Sequence, residues 1–125
     1  FEKMLLTGHI GKLVKVAGGI MNTHSKEGDC RMELLAAAAI RQQVPLPQLE
    51  RIVTCVTTEQ AVGILRDCGK KEAVMQDILD KILFYLGKRA AGKIQIEVIL
   101  YSNEYGELAK SAQADRFLEC LGKEE

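Results

Sequence analysis

The sequence of 125 residues contains no tryptophan and only three tyrosines and three phenylalanines. With so few aromatic rings, a surface on which nucleic-acid bases stack is not expected. An excess of positive charge is missing too, because 17 Lys and Arg balance 17 Asp and Glu. Such an excess is typical of proteins that bind nucleic acids or anionic membranes, and no apolar run is long enough to span a bilayer. We therefore expect neither nucleic acid nor membrane as a partner.

The spacing of the four cysteines excludes the common cysteine motifs. Cys30, Cys55, Cys68 and Cys120 form no Cys-x-x-Cys pair, so an all-cysteine zinc site is not expected. Scattered single cysteines are typical of reduced thiols, and no signal-peptide pattern opens the chain. We therefore expect a cytoplasmic protein with no protein-bound metal.

The hydrophobic pattern predicts an α/β fold with a small parallel sheet flanked by helices. Residues 3–7 and 94–101 have the pattern of buried strands. Helical patterns occupy the segment between Asp29 and Pro45 and the ranges 12–17, 47–54, 58–67, 70–90 and 114–121. Two strands are too few for a stable sheet, and the chain begins at Phe1 rather than Met. We therefore expect residues 1–125 to be an α/β fragment of a longer chain, with upstream strands missing.

Local signals mark where these helices begin and end. Thr57 and Gln60, three residues apart, predict a capping box. Gly18-Gly19 is expected to end the first helix, and Gly69 fits the position that follows the helix over 58–67. Opposite the apolar stripe of helix 70–90, a group of charged residues is interpreted as a solvated face: Asp77, Asp80 and Lys81.

Two polar clusters follow the two predicted strands. The first contains Gly8, His9, Gly11, Lys12, Asn22, Thr23, His24 and Ser25, and the second contains Asn103, Glu104, Tyr105 and Gly106. In open α/β sheets, ligands bind beyond the carboxyl ends of the strands. Both clusters therefore fall where that rule predicts a binding site.

Each part of these clusters has a structural and a functional interpretation. Gly8-x-x-Gly11 matches neither a dinucleotide fingerprint nor a P-loop; it is a tight strand-to-helix turn or an anion site at a helix N-terminus. Residues 22–25 are a solvated loop, or a site in which His24 is a general base or binds carboxylates. Residues 103–106 are a capped turn, or a site whose glutamate accepts hydrogen bonds from ribose or an amine. The residues by themselves predict an α/β domain with a polar, mildly cationic ligand cleft.

Two longer patterns carry a family resemblance. Residues 6–25, LTGHIGKLVKVAGGIMNTHS, continued by Asp29, Arg31, Met32, Glu33 and Leu35, resemble a signature of the cobalt-precorrin-5B C1-methyltransferases of anaerobic cobalamin biosynthesis, the CbiD family. Residues 102–106, with Leu108, Lys110 and Ser111, resemble the second signature of that family. At the edges of these motifs the sequence departs from the family pattern, at Glu27-Gly28, Ala38 and Ala109.

The resemblance implies methyl transfer from S-adenosylmethionine to C1 of a cobalt-containing corrin precursor. It implies catalytic roles for His24, His9 and Glu104. It implies substrate or cofactor binding by Gly8, Gly11, Lys12, Asn22, Thr23, Ser25, Arg31, Asn103, Tyr105 and Gly106. The resemblance implies that residues 1–125 are the C-terminal α/β domain of a longer protein, and that the missing N-terminal domain of the same protein is a partner. The cobalt arrives inside the substrate.

The resemblance also implies which residues bind the substrate, which bind the methyl donor and which accept a proton. The corrin carboxylates would meet the cations Lys12, Lys15, Lys26 and Arg31. Glu104 or Asn103 would bind the ribose or the ammonium group of the methyl donor. His24 or His9 would help to remove a proton as the ring is methylated.

Two other classes of function remain open from the sequence. One is a non-catalytic anion- or nucleotide-binding module, for which the glycine turn and the cationic loop would suffice. The other is an interaction fragment whose apolar faces dock the missing domain. The assembly of several copies into a homo-oligomer is also left open.

Overall fold

The computed structural model describes residues 2–19, 30–90, 94–111 and 113–115. Its elements are β1 (Glu2–His9), α1 (Ile10–Leu13), a 3-10 turn (Val16–Gly18), α2 (Arg31–Arg41), α3 (Leu46–Val53), α4 (Thr58–Asp67), α5 (Lys71–Ala90), β2 (Ile94–Ser102) and β3 (Gly106–Lys110). The predicted α/β class is confirmed. The end of the predicted helix over 114–121 lies outside the described residues, although Ala114 and Asp115 are helical.

The three strands form one sheet in the order β1-β2-β3. β1 and β2 are parallel, from the pair Glu2 and Ile94 to the pair His9 and Tyr101, so the predicted parallel pairing is confirmed. β3 adds an antiparallel edge and makes the sheet mixed. β3 carries little signal in the sequence and was not predicted, because only two of the five residues in GELAK are apolar and the strand depends on pairing with β2.

The core lies between the sheet and the helices. The apolar stripe that the sequence predicts on α5 faces this core. Val74, Met75, Ile78, Leu79 and Ile82 are almost fully buried, and Leu83 and Leu86 are partly buried against the core. Burial of one such side chain stabilises the fold by about 1.5–3 kcal/mol. Three small residues of α2, Ala36, Ala38 and Ala39, are buried as well, and small side chains allow helices to approach closely. Cys30, Cys55 and Cys68 form no disulfide.

The helix boundaries follow the predicted signals. Thr57 Oγ1 accepts a hydrogen bond from the Gln60 amide, and Gln60 Oε1 accepts one from the Thr57 amide, both at 3.2 Å. This capping box starts α4. The positive φ angles of Gly19 and Gly69, 83° and 75°, end the 3-10 turn and α4. These predictions are confirmed because they depend on neighbours within one turn of the chain.

An ion pair joins the end of α2 to the middle of α5. Arg41 Nε donates to both carboxylate oxygens of Asp77, at 2.9 and 3.1 Å, and Gln42 Nε2 donates to Asp77 Oδ2 at 2.9 Å. Only 11% of the Asp77 side chain is exposed, so its interpretation as part of a solvated face is wrong. Burial raises the pKa of Asp77, but the hydrogen bonds and the charges of Arg41 and Lys81 outweigh burial, and the pKa lies below its ordinary value.

We expect Asp77→Asn to destabilise the protein in a pH-dependent way. Because the folded-state pKa is lowered, ionised Asp77 stabilises the fold above the unfolded pKa of about 3.9, and this contribution is lost as the pH falls through the folded pKa. Urea unfolding should therefore show a gap between wild type and variant that is full at pH 7 and narrows below about pH 4.

Asp80→Asn is the matched control for this experiment. Asp80 is exposed on the same helix and accepts a hydrogen bond from Gln76 at 3.0 Å. Its replacement should change the free energy of unfolding little at either pH. A gap for Asp77→Asn that is the same at all pH values would contradict the electrostatic explanation.

Candidate functional site

The predicted strand-to-helix turn is closed by the His9 side chain. His9 is the N-cap of α1, and its Nδ1 accepts a hydrogen bond from the Gly11 amide at 2.9 Å. An imidazole nitrogen that accepts carries no proton, so the ring hydrogen lies on Nε2. His9 Nε2 is 3.0 Å from Glu59 Oε1, and the geometry makes it the donor in that pair. Both ring nitrogens of His9 are therefore engaged.

Glu59, the second residue of α4, gathers hydrogen-bond donors from two separate parts of the chain. Its Oε1 accepts from His9 Nε2 and from the Asn103 amide at 3.1 Å. Its Oε2 accepts from the Glu104 amide at a longer distance of 3.4 Å. The side chains of His9 and Glu59 are only 26% and 22% exposed. The carboxylate thus joins the end of β1 to the turn after β2.

The turn after β2 is further fixed by its own residues. Ser102 Oγ accepts a hydrogen bond from the Tyr105 amide at 2.8 Å. Gly106 has a φ of 70°, a left-handed conformation that favours glycine. Tyr101, the residue before Ser102, packs edge-on against the His9 ring, with the ring centroids 5.7 Å apart. The turn is therefore a capped turn, as its structural interpretation predicted.

Tyr105 packs on α4 beside this turn. Its hydroxyl lies over Gly63, where a Cβ atom would come within 2.8 Å of it. The Arg66 guanidinium is 5.1 Å from the centre of the Tyr105 ring, and Lys71 Nζ is 5.9 Å from it. Such cation–π contacts contribute about 0.5–1 kcal/mol each at exposed sites. The contacts explain both the aromatic residue in the turn and the glycine in the middle of α4.

A cleft of about 610 Å³ opens next to the turn. It lies between the end of α3, α4 and the turn, and its walls are polar and charged: Arg51, Thr54, Cys55, Thr57, Glu59, Gln60, Gly63, Ile64, Arg66, Asp67, Glu104 and Tyr105. This volume is in the range of small-molecule sites.

Burial, opposed by the charge of Arg51, raises the pKa of the Cys55 thiol. The reactive thiolate form of this cysteine, which lines the cleft, is therefore disfavoured.

The structure brings some of the predicted site residues together and places others elsewhere. His9 and Gly11 meet Asn103 and Glu104 through Glu59. Gly8 packs on the core, where a Cβ atom would lie 2.7 Å from Leu13 Cδ1.

The predicted cations that the structure describes, Lys12, Lys15 and Arg31, do not line the cleft. Lys12 is exposed on α1, Arg31 is half-buried at the start of α2, and Lys15 is 2% exposed. The predictions for Asn22, Thr23, His24, Ser25 and Lys26 fall on residues outside those described.

Sequence reasoning missed Glu59 and Arg51. An acidic residue in the first turn of a helix is common because it suits the helix dipole, so Glu59 gave no separate signal. Within the described ranges, no group of three or more His, Cys, Asp or Glu side chains is arranged to hold a metal ion. No helix in the part of the chain that the structure describes has both the length and the apolar character needed to cross a membrane.

The fold and the site define an α/β domain with a polar cleft at the carboxyl end of its central strand. The chain belongs to the CbiD family, since a family model described as "CbiD, C-terminal domain" matches residues 22–112. The resemblance found in the sequence is thereby confirmed.

Curated relatives agree with this assignment. The cobalt-precorrin-5B C(1)-methyltransferase of Alkaliphilus metalliredigens is 43% identical over 123 residues, which cover 98% of this chain and 32% of the relative. Proteins of the same name from Ruminiclostridium cellulolyticum and Clostridioides difficile are 43% and 35% identical, over 86% and 97% of this chain and 28% and 30% of their own lengths. The chain thus spans about a third of the length of these relatives. No solved structure matches it.

We expect Glu59→Ala to destabilise the domain by roughly 1–3 kcal/mol, because three N–H donors lose a charged acceptor. Glu59→Gln should destabilise the domain less than Glu59→Ala, because the glutamine side chain keeps one acceptor oxygen. Some destabilisation should remain, since its NH2 group faces a backbone amide that is also a donor. Chemical unfolding at pH 7 measures both effects.

Glu72→Ala is the control for the helix terminus. Glu72 is also the second residue of its helix, α5, but its side chain is 83% exposed and, among the residues that the structure describes, has only a 3.9 Å contact with Lys71. It shares the helix-dipole term with Glu59 and lacks the three bonds. If Glu72→Ala cost as much as Glu59→Ala, the three bonds would not be the source of the stability.

Proposed function

We propose that this chain is the C-terminal part of an S-adenosylmethionine-dependent methyltransferase that methylates C1 of cobalt-precorrin-5B in anaerobic cobalamin biosynthesis. Membership of the CbiD family and the names of the relatives support the reaction class. The observation that carries the proposal is the Glu59 carboxylate, which gathers parts of both signature segments, at His9 and at Asn103 and Glu104, into one site.

The chemistry makes a rigid site valuable. In the transfer, the bond between the sulfonium sulfur and the methyl carbon breaks as a bond from that carbon to C1 forms, and S-adenosylhomocysteine leaves. The protein contributes chiefly alignment, which can supply about 7–11 kcal/mol of a reaction barrier. The turn at residues 103–106 fits this need, because Glu59, Ser102 and α4 all fix it.

The site residues divide into binding and framework roles in this proposal. Glu104 and Asn103 bind the ribose or ammonium group of the methyl donor, with Tyr105 and Gly106 shaping the turn. His9 shapes the site, because both of its ring nitrogens are engaged, and Gly8 and Gly11 belong to the same turn. His24 is proposed as the proton acceptor, and Asn22, Thr23 and Ser25 are proposed to bind substrate or cofactor.

The carboxylates of the corrin substrate need cationic partners. Lys12, Lys26 and Arg31 are proposed for them, since charge-assisted hydrogen bonds to carboxylates are strong. Lys15, at 2% exposure, is left out of this set. The cobalt ion belongs to the substrate in this scheme.

We expect His24→Ala and Glu104→Ala each to lower turnover by about tenfold or more in a full-length protein that contains this domain, because each removes a group that acts on a reactant. Transfer of a labelled methyl group to cobalt-precorrin-5B measures the rate. Glu107→Ala is the control, since Glu107 is exposed on β3 and makes a 3.8 Å contact with Lys110. If both variants transferred the methyl group at the wild-type rate, the roles proposed for His24 and Glu104 would be wrong.

Calorimetric titration of S-adenosylhomocysteine tests the cofactor part directly, with this chain and the full-length protein side by side. Binding to both supports a cofactor pocket built largely from this domain. Binding to the full-length protein alone assigns essential cofactor contacts to its other regions and leaves this domain to the tetrapyrrole. Binding to neither contradicts the methyltransferase proposal and favours an anion-binding module.

A further inference from the structure

Five charged side chains of the described residues line the cleft, and three of them already have partners. Glu59 accepts three N–H donors, and Arg66 Nη2 is 3.1 Å from Asp67 Oδ1. Among the described residues, no hydrogen bond or ion pair involves the side chains of Arg51 and Glu104. The cleft therefore offers a ligand one free positive and one free negative charge.

The uncharged polar groups of the cleft are also largely used within the fold. Thr54 Oγ1 donates to the Arg51 carbonyl at 2.9 Å, and Thr57 Oγ1 accepts from the Gln60 amide. Cys55 Sγ donates to the Arg51 carbonyl at 3.3 Å. Recognition of a polar ligand in this cleft thus rests mainly on the two free charges.

We propose that Arg51 and Glu104 form a subsite for an α-amino-acid group, the zwitterionic end of the methyl donor. This inference rests on the proposed function. The guanidinium of Arg51 matches a carboxylate with two parallel N–H donors. The carboxylate of Glu104 accepts hydrogen bonds from an α-ammonium group. A zwitterion offers one group to each of them, within a cleft of about 610 Å³, a volume in the range of small-molecule sites.

A corrin carboxylate fits the same pair less well. It would pair with Arg51, but Glu104 and Glu59 line the same cleft, and their negative charges would repel the incoming carboxylate. Both members of the pair also start from defined backbone positions. Arg51 lies in the last turn of α3, and Glu59 accepts a hydrogen bond from the Glu104 amide.

The test compares two ligands that differ only in the amino-acid group. S-Adenosylhomocysteine carries it, and 5′-methylthioadenosine keeps the adenosine and the sulfur without it. Calorimetry on the full-length protein, and on this chain where it binds, should give S-adenosylhomocysteine an affinity about 10- to 100-fold higher. Arg51→Gln and Glu104→Gln should each lower that affinity about tenfold and leave the affinity for 5′-methylthioadenosine unchanged.

Two controls and the opposing outcomes complete the design. Glu50→Gln, an exposed neighbour of Arg51 on α3, should change neither affinity, and Arg51→Lys should retain part of the preference. Equal affinity of the wild type for the two ligands would overturn the subsite while leaving cofactor binding intact. The subsite would also be overturned if both variants kept the preference for S-adenosylhomocysteine. It would be overturned as well if the variants lost affinity for the two ligands equally. No binding of either ligand would remove the proposed function together with the subsite.

Discussion

The hydrogen bonds to the Glu59 carboxylate hold the carboxyl edge of the sheet together. One side chain accepts from the imidazole at the end of β1 and from two successive amides in the turn after β2. An ionised carboxylate suits this position because it only accepts and offers about four lone-pair sites. Its place at the N-terminus of α4 adds a favourable interaction with the helix dipole. A neutral side chain of the same size would satisfy fewer of these donors.

The consequences extend through His9. Its ring closes the turn into α1 with one nitrogen and contacts Glu59 with the other, so the start of one helix and the start of another are coupled through a single tautomer. The turn after β2 is fixed from the opposite side by Ser102 and by the packing of Tyr105 on Gly63. The cleft is therefore bounded by backbone that is held from several directions, which is what a reaction dependent on alignment requires.

Local signals in the sequence were sufficient for most of the fold and for part of the site. The capping box at Thr57, the positive φ of Gly69 and the stripe on α5 each depend on residues within a few turns. Contacts between distant segments could not be predicted this way. Glu59 lies 50 residues from His9 and resembles an ordinary first-turn acid. Asp77 lies 36 residues from Arg41, and the helical period alone placed it on the polar side. β3 likewise depends on β2 for its existence.

The charges around the cleft separate into a fixed set and a free set, and the fixed set shapes what the free set can bind. The hydrogen bonds to Glu59 compensate the negative charge of its carboxylate only in part. The donors are two backbone amides and a histidine whose hydrogen bonds are those of the neutral tautomer. Glu59 therefore adds negative potential where the Glu104 amide meets it. A cationic group is favoured on that side of the cleft, and an anionic group is favoured towards Arg51. The framework that holds the turn thus also orients any dipolar ligand within the cleft.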